Sequence, residues 1–596
     1  MKRLRQILVF LCFVPIMTSC HYIEKRNEIK KGEIYDDNLT KAVFSPEQFN
    51  QSGQIYYFTK VYGFLKVHSN KSKKDIDELF FDYYPKISQN IDKKEFNKLL
   101  NEFVFELYGN ILDIKNSENI RHNWLNDSNY FYKEIKNKLL IIENNFLEKG
   151  EKSIYYKYDL IGGYSNIIRP KTKYKPNDMD SLFPQEATRI WGIANYWNFI
   201  NYFWVYKNLM DADWDKILYE TILSIQNVEN AIEYNIAIMK FIANTDDSHA
   251  FVQSDLIENE IFGKYVPNVR FGLINDTIMV QKLRTERTEF SSDTFFKIGD
   301  IFYTINNIPI INLYDSLKYF ESASNEERRK QMLAYAILSF KNSNQIVYSR
   351  NGQIDTVIVD FEDYKTYNRF QWDRTQEKEN ETTVQNIQGT GYLHINELFK
   401  KNFNQNINEL KKYDGIILDI RGYPNPSISM KISEIFIEKG TKFNDYLYPD
   451  IYNPGKIKRI SGKVIGRKNE FKDKKIAVLV DENTISQAEF LTMMLQQSEN
   501  ITVIGNQTAG ADGPVIVIDL PGKITTGLTS IGILYPDGTQ TQRCGVIRDI
   551  EVKHTTEGLQ AGKDEILEKA IEWIKQEELP KKGKNRVKYR FGFCTF

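Results

Sequence analysis

Apolar positions along the chain change their spacing twice, and each change marks a change of element. From Tyr56 they recur at three and four through YYFTKVYGFLK, IDELFFDYYPKI and EFNKLLNEFVFELYGNIL, the spacing of helices with a buried face. The pattern lapses between Tyr155 and Pro184, which is rich in Tyr, Lys, Pro and Gly and reads as irregular structure. A second helical stretch runs from Ala187 to His249. Its opening, ATRIWGIANYWNFINYFWVYKNL, carries an aromatic stripe that reads as core, and Asp211 or Asp213 is placed to cap the helix that follows. Lys60-Val61-Tyr62-Gly63-Phe64 echoes Arg189-Ile190-Trp191-Gly192-Ile193, an echo that aromatic helices also produce by chance.

From Val266 to Phe361 the runs shorten to strand length: NVRFGLI, TIMVQKL, DIFYTINNIPI, QIVYSR and TVIVDF. Glu362 to Asn386 is charged and reads as a linker. Strand-length and helix-length runs then alternate: YLHI, a helix over Leu398 to Leu410, GIILDI, KISEIFI, KIAVLV, a helix after Ser486, and ITVIG. That order predicts an α/β sheet of mainly parallel strands. PVIVIDLP and ITTGLTSIGILYPDG add an antiparallel pair, a helix over Asp564 to Lys575 closes the fold, and Leu579 to Phe596 is a basic tail.

The first residues are of another kind. Lys2, Arg3 and Arg5 precede an apolar run from Ile7 to Met17, too short to span a membrane and typical of an export signal. It ends Met17-Thr18-Ser19-Cys20, which resembles a bacterial lipobox and implies a mature N-terminus acylated at Cys20. The protein is then lipid-anchored in the cell envelope, facing the periplasm or the outer-membrane surface, with residues 21–50 as a polar tether.

Composition narrows the partners. The 596 residues carry 79 basic and 79 acidic side chains, so no electrostatic case exists for nucleic acid. Four cysteines make no disulfide framework: Cys12 lies in the leader, and Cys544 and Cys594 read as unpaired thiols. The six histidines do not fall at ligand spacing with cysteines or acids, and no glycine-rich phosphate loop appears, so neither metal nor cofactor is expected.

Candidate chemistry begins at DENTISQAEF, Asp481 to Phe490. The apolar run Ile476 to Val480 reads as a buried strand and FLTMMLQQ as a helix, so Ser486 sits where a strand turns into a helix. Backbone N–H groups at a helix start suit a developing oxyanion, although a serine there is also an ordinary helix cap. Thr245 to Val252, TDDSHAFV, places His249 beside Ser248 as a candidate base. GIILDIRGYPNP, Gly415 to Pro426, runs from a strand into a glycine turn, a source of a second oxyanion donor.

Together, DSHAF, DIRG and ENTISQAEF followed by IGNQTAG resemble the C-terminal processing (tail-specific) serine peptidases over roughly Ala187 to Ile574, about two thirds of the chain. One branch of that family uses a Ser–Lys dyad with the lysine in a Gly-Lys-Gly turn. Here the turn is Thr508-Ala509-Gly510-Ala511-Asp512-Gly513, without lysine. The Ser248-His249 dipeptide is instead similar to the tricorn-core branch, in which a downstream glutamate orients the network. The matching position holds Gln542, which can hydrogen-bond but carries no charge.

The resemblance implies Ser486 as nucleophile, His249 as base, Ser248 or Gln542 as orienter, and the N–H groups of Gln487 and of Gly422 or Tyr423 as oxyanion donors. Pro424 and Pro426 stiffen the loop after Arg-Gly and supply no N–H. Phe296 to Ile301 with Ile305 to Pro309 resembles a PDZ domain, which takes peptide C-termini by strand addition. Val269 to Leu273 is the matching edge, with Phe271, Gly272 and Leu273 at the peptide.

The expected fold class is multidomain α+β: a helical N-terminal region, a PDZ-like β domain, and an α/β, ClpP/crotonase-like catalytic domain. The expected boundaries are 1–20 leader, 21–185 tether and helical domain, 186–257 helical segment with Ser-His, 258–362 PDZ-like domain, 363–386 linker, 387–578 peptidase domain and 579–596 tail. The function that follows is a serine endopeptidase acting on polypeptides. The alternatives are a peptide-binding lipoprotein on a peptidase scaffold, which the missing glutamate favours, and a glycan-binding envelope protein, for which only the aromatic content speaks.

Overall fold

The structure, a computed structural model, describes residues 33–37, 44–111, 121–171, 174–283 apart from 268 and 276, 295–363 apart from 336–338 and 340, and 383–576 apart from 463. The expected leader with Cys20, most of the linker and the basic tail lie outside the described residues.

Two helices form the centre of the N-terminal region. Gln51–Val67 is buried at every residue from Gly53 onward, with Lys60 and Lys66 paired to Asp215 and Asp77, and Glu186–Phe203 is nearly as buried. They cross where one has no side chain. A Cβ on Gly63 would stand 1.8 Å from Asn198 Cγ. Asn198 Nδ2 donates to the Thr59 carbonyl at 3.1 Å across the same contact. Gly192, the matching glycine of the sequence echo, instead meets Pro521, whose Cδ would lie 2.4 Å from a Cβ there. The two similar strings therefore share a use of glycine and not a packing partner. Asp213, not Asp211, caps the helix Trp214–Asn227, accepting from the Asp215 and Lys216 amides.

Tyr155 to Pro184 departs from expectation. It contains an antiparallel hairpin, Tyr156–Ile161 with Tyr164–Pro170, turning at Gly162 and Gly163, both with positive φ. The strand alternation was hidden because tyrosines and lysines occupy the half-exposed face, while Tyr156, Ile167 and Ile168 are buried. The polar tether is also partly ordered. Glu33–Asp37 pairs antiparallel with Lys456–Ser461, a backbone ladder that needs no apolar pattern.

The small β unit is a sheet in the order Gln353–Asp360, Ser343–Arg350, Ile301–Ile305, Thr277–Leu283, Val269–Ile274, all antiparallel. Two helices, Ile310–Leu317 and Glu326–Tyr335, interrupt the expected all-strand reading. The second packs along Val269–Ile274, which among the described residues pairs with a strand on one side only.

The α/β unit has the sheet order Gln385–Ile387, Thr390–His394, Gly415–Asp419, Lys475–Val480, Ile501–Gly505, Ile550–Glu551. The first pair is antiparallel and the rest parallel. Alternation divides its residues between two cores. Ile416, Leu418, Ile476, Val478 and Val480 face the helices Pro426–Phe436 and Gln487–Leu495, while Ile417, Ala477 and Leu479 face Glu565–Lys575. A third core runs without a break from the N-terminal helices to Leu447, Ile516 and Leu528, so the helical region and the antiparallel additions share an interior.

The Gly63 crossing makes a specific demand. Gly63→Ala should destabilise the chain by about 1–3 kcal/mol through overpacking against Asn198, despite the better helix propensity of alanine. Chemical denaturation should find this loss, and an unchanged or raised stability would contradict the crossing.

Candidate active site

The strand Lys475–Val480 ends in the turn Asp481 to Ile485, and Ser486 stands immediately before the helix Gln487–Leu495. Ser486 has φ 57° and ψ −119°, a backbone conformation that costs a side-chain-bearing residue about 1–3 kcal/mol. Four contacts hold the turn. The Ser486 amide donates to the Ala511 carbonyl at 2.9 Å and to Glu489 Oε2 at 3.2 Å. Thr484 Oγ1 donates to the Ile420 carbonyl at 2.9 Å, and the Ala509 amide to the Thr484 carbonyl at 3.0 Å.

Glu489 lies one helical turn after Ser486 and is fully buried. It also accepts from Thr508 Oγ1 at 2.5 Å, the Gly510 amide at 2.9 Å and the Ala511 amide at 3.0 Å. Burial pushes this carboxyl up to about 7, and the hydrogen bonds from Thr508, Gly510, Ala511 and Ser486 oppose that rise. The loop that carries lysine in the dyad branch is thus fastened under the serine turn by a carboxylate. Asp512, in that loop, is buried with Oδ1 on the Gly513 amide at 2.7 Å. Burial raises its carboxyl, and the neighbouring Glu489 adds to the rise.

His249 enters from the loop after the helix Ala231–Ala243. Its Nδ1 lies 2.9 Å from Thr529 Oγ1, and that hydroxyl donates to Asp247 Oδ1 at 2.9 Å. A hydroxyl has one proton, so Thr529 must accept from His249 Nδ1–H, and Nε2 keeps its lone pair. Asp247 also accepts from the Thr529 amide at 2.7 Å, the His249 amide at 3.1 Å and Gln542 Nε2 at 3.2 Å. Burial lowers the His249 pKa, the Asp247 carboxylate offsets part of this, and the Arg328 guanidinium lowers it further.

The oxyanion donors are only partly arranged. The Gln487 amide donates to no protein atom among the described residues, as expected for the first residue of a helix. Gly422 lies at the end of Gly415–Asp419, where a Cβ would come within 2.8 Å of His394 Cε1, so the glycine is required for close approach. Arg421 fixes this turn by bonding both Asp419 and Asp564. Burial alone would raise the Asp419 carboxyl, but Arg421 outweighs it and holds it well below the usual carboxylate range. Tyr423 is exposed, at 37%.

Other expectations change. Ser248 does not touch the imidazole: its hydroxyl donates to the Ala509 carbonyl at 2.8 Å and accepts from the Ser324 amide at 2.8 Å. Gln542 does not touch it either, and supports Asp247 from behind. The orienting pair is Thr529 and Asp247. Asp247 was visible inside TDDSHAFV, two residues before the histidine; Thr529 comes from a distant strand and gave no local signal. Phe271 is 1% exposed and stacks edge-on to Phe302 inside the β unit, so its side chain is core. Gly272 is packed against the Gln281 side chain and Leu273 lies partly buried on that core, leaving the strand edge to offer backbone alone. Cys544 is disulfide-bonded and not the free thiol expected, its partner lying outside the described residues. His68, His122 and Glu143 converge with donor atoms within 4.8 Å of one another, contrary to the expectation that no ligand cluster exists, because separate elements bring them together.

Ser486 and His249 are brought to one neighbourhood by shared loops. Ala511 holds Ser486, Ala509 holds Ser248, and the Ser530 amide donates to the Pro514 carbonyl beside Thr529. Among the described residues no hydrogen bond joins Ser486 Oγ to the His249 ring, and such bonds are often completed only when substrate binds.

This arrangement fixes two outcomes. An imidazole acting as base must be neutral, so activity should rise with pH through an ionisation below the ordinary histidine value of about 6.5. Thr529→Val leaves Nδ1–H without an acceptor, a loss of roughly 1–3 kcal/mol, and should lower kcat about 10- to 100-fold. Gln542→Ala should cost less than Thr529→Val. A pH–rate profile on the three proteins checks both. An acid limb above 6.5, or a Thr529→Val protein of full activity, would contradict the relay.

Comparison with known proteins bears on the α/β unit. Residues 389–552 match the family model for Peptidase family S41. The chain is 30% identical over 141 residues to the carboxy-terminal processing protease CtpA of Bacillus subtilis (strain 168), a match spanning 23% of this chain and 28% of that protein. Among solved structures, mature CPAF shares 13% identity with a TM-score of 0.49, covering 65% of this chain and 97% of that one. The photosystem II D1 C-terminal processing protease shares 16% identity with a TM-score of 0.36, covering 65% of this chain and 98% of that one. With both scores below 0.5, the chemistry rests on the residues themselves. Ser486, Gly422 and Gln542 fall inside residues 389–552, the stretch that matches Peptidase family S41, and His249 falls outside it.

Proposed function

We propose that the protein is a serine endopeptidase of the cell envelope, cleaving unfolded or C-terminally exposed polypeptides. The observation that carries this is Ser486 at φ 57°, a serine on a strained strand-to-helix turn before an unpaired helix amide. A helix-capping serine needs no such conformation. Ser486 Oγ attacks the peptide carbonyl, His249 Nε2 takes its proton, and the Gln487 amide, with that of Gly422 or Tyr423, receives the oxyanion. His249 then returns the proton to the leaving amine. Thr529 and Asp247 hold the imidazole and act only through it.

The open edge of Val269–Ile274 supports peptide capture by strand addition, using backbone N–H and C=O groups. The helix beside that edge reaches the reaction loops. Asn325 Nδ2, just before it, donates to the Thr508 carbonyl at 2.8 Å and the Arg543 carbonyl at 3.0 Å, and Arg328 Nη1 within it donates to the Glu482 carbonyl at 3.2 Å. A bound peptide would therefore press on the elements that hold the serine turn.

Export and lipidation at Cys20 follow from the MTSC string, and the disulfide at Cys544 suits an oxidising compartment. No described helix is long and apolar enough to cross a membrane.

Ser486→Ala and His249→Ala should each lower cleavage of an unfolded polypeptide by at least about 10³-fold, with the double variant little worse. Full activity in His249→Ala with loss in Ser486→Ala would mean another base. Cys20→Ala should release the protein from the membrane fraction. Retention there, without acyl mass on the wild-type chain, would refute the anchor.

A further inference from the structure

Three elements of the helical region meet at one buried point. His68 is the C-terminal cap of Gln51–Val67, His122 precedes the turn Asn123–Asn126, and Glu143 lies within Lys133–Lys149. All three are 1% exposed. His68 Nδ1 is 2.8 Å from the Phe64 carbonyl, an acceptor, so Nδ1 carries the proton and Nε2 presents a lone pair. That is the arrangement in which a ligating histidine is oriented through its other nitrogen.

Among the described residues His68 Nε2 has no hydrogen-bond partner, and it stands 3.8 Å from Glu143 Oε1. His122 Nε2 lies 3.0 Å from the same oxygen. An ordinary ion pair explains part of this. His122 and Arg121, whose Nη1 is 3.3 Å from Glu143 Oε1, would balance the carboxylate. It leaves His68 unexplained, because a buried lone pair then faces a carboxylate oxygen at 3.8 Å, acceptor against acceptor. A cation between them removes the conflict. Two ligand atoms at about 2.0–2.1 Å from a tetrahedral ion are roughly 3.3–3.4 Å apart, and the separations of 3.0 and 3.8 Å bracket that value.

We propose that His68, His122 and Glu143 bind one divalent transition-metal ion of the zinc class, which joins the end of the central helix to the 121–126 loop and to the Lys133–Lys149 helix. Two imidazoles with one carboxylate suit zinc better than magnesium or calcium, which take oxygen ligands. Burial keeps substrate away, so the ion's role is structural. Arg121, held by the Pro454 carbonyl at 2.9 Å, links the site to the loop after Asp450.

The test uses the full chain. Metal content is measured by elemental mass spectrometry after purification in metal-free buffer, and the metal-stripped protein is titrated with Co²⁺ while d–d absorption is followed. About one zinc per chain, cobalt bands of a tetrahedral nitrogen–oxygen site, and an unfolding midpoint lowered by chelator and restored by Zn²⁺ are expected. Glu143→Gln and His68→Ala should each lose the metal. If the wild-type chain holds no metal, and neither chelator nor added Zn²⁺ shifts its midpoint, the cluster is a His–Glu–Arg ion pair and the proposal is wrong. Metal retained at full stoichiometry by both variants would overturn it equally.

Discussion

A carboxylate without access to water must be surrounded by donors, and Glu489 draws its donors from both sides of the candidate site. Thr508, Gly510 and Ala511 come from the loop on one side and the Ser486 amide from the turn on the other. Remove the carboxylate and three buried donors, Thr508 Oγ1 and the Gly510 and Ala511 amides, lose their partner, each worth roughly 1–3 kcal/mol, while the Ser486 amide keeps only its bond to the Ala511 carbonyl. The strained serine and the loop that leads to Thr529 would then relax independently. The capping relation of Glu489 to Ser486 is therefore more than a helix-start preference. It couples the conformation of Ser486, the proposed nucleophile, to the position of His249, the proposed base.

His249 is held by a second carboxylate in a different way. Asp247 reaches His249 through a hydroxyl, and Thr529 passes the orientation on while selecting the tautomer. An indirect link of this kind places the negative charge further from the imidazole than a direct contact does, so it stabilises a forming imidazolium less. Gln542, behind Asp247, then has an intelligible place. A glutamate at that position would set two carboxylates side by side, whereas the amide donates to Asp247 and adds no charge.

Much of this was legible in the sequence because it is local. The strand-turn-helix around Ser486, the alternation that splits Ile416 and Ile417 between two faces, and the parallel order of the α/β sheet are all written in short-range spacing. What escaped lay in backbone pairing or in long-range convergence. Glu33–Asp37 joins a sheet through its backbone and is too short, as EIYDD, to show a strand alternation. The Tyr156–Pro170 hairpin buries Tyr156 but leaves Lys157 exposed and Tyr158 and Tyr164 half exposed. Thr529, 280 positions from His249 in the chain, and the His68–His122–Glu143 cluster have no spacing signal, since folding alone brings them together. Asp247 lies within the same motif as His249, but its hold on the ring runs through Thr529 and so has no signal in the motif itself.

Whether the serine turn and the histidine relay work as one unit is tested most directly by the rate at which a fluorophosphonate labels Ser486 in the folded wild-type protein and in Asp247→Asn. The account predicts a single adduct, located at Ser486 by peptide mass spectrometry, forming at least about 10²-fold more slowly in the variant. Equal rates in the two proteins, or no adduct in folded wild-type protein, would contradict it.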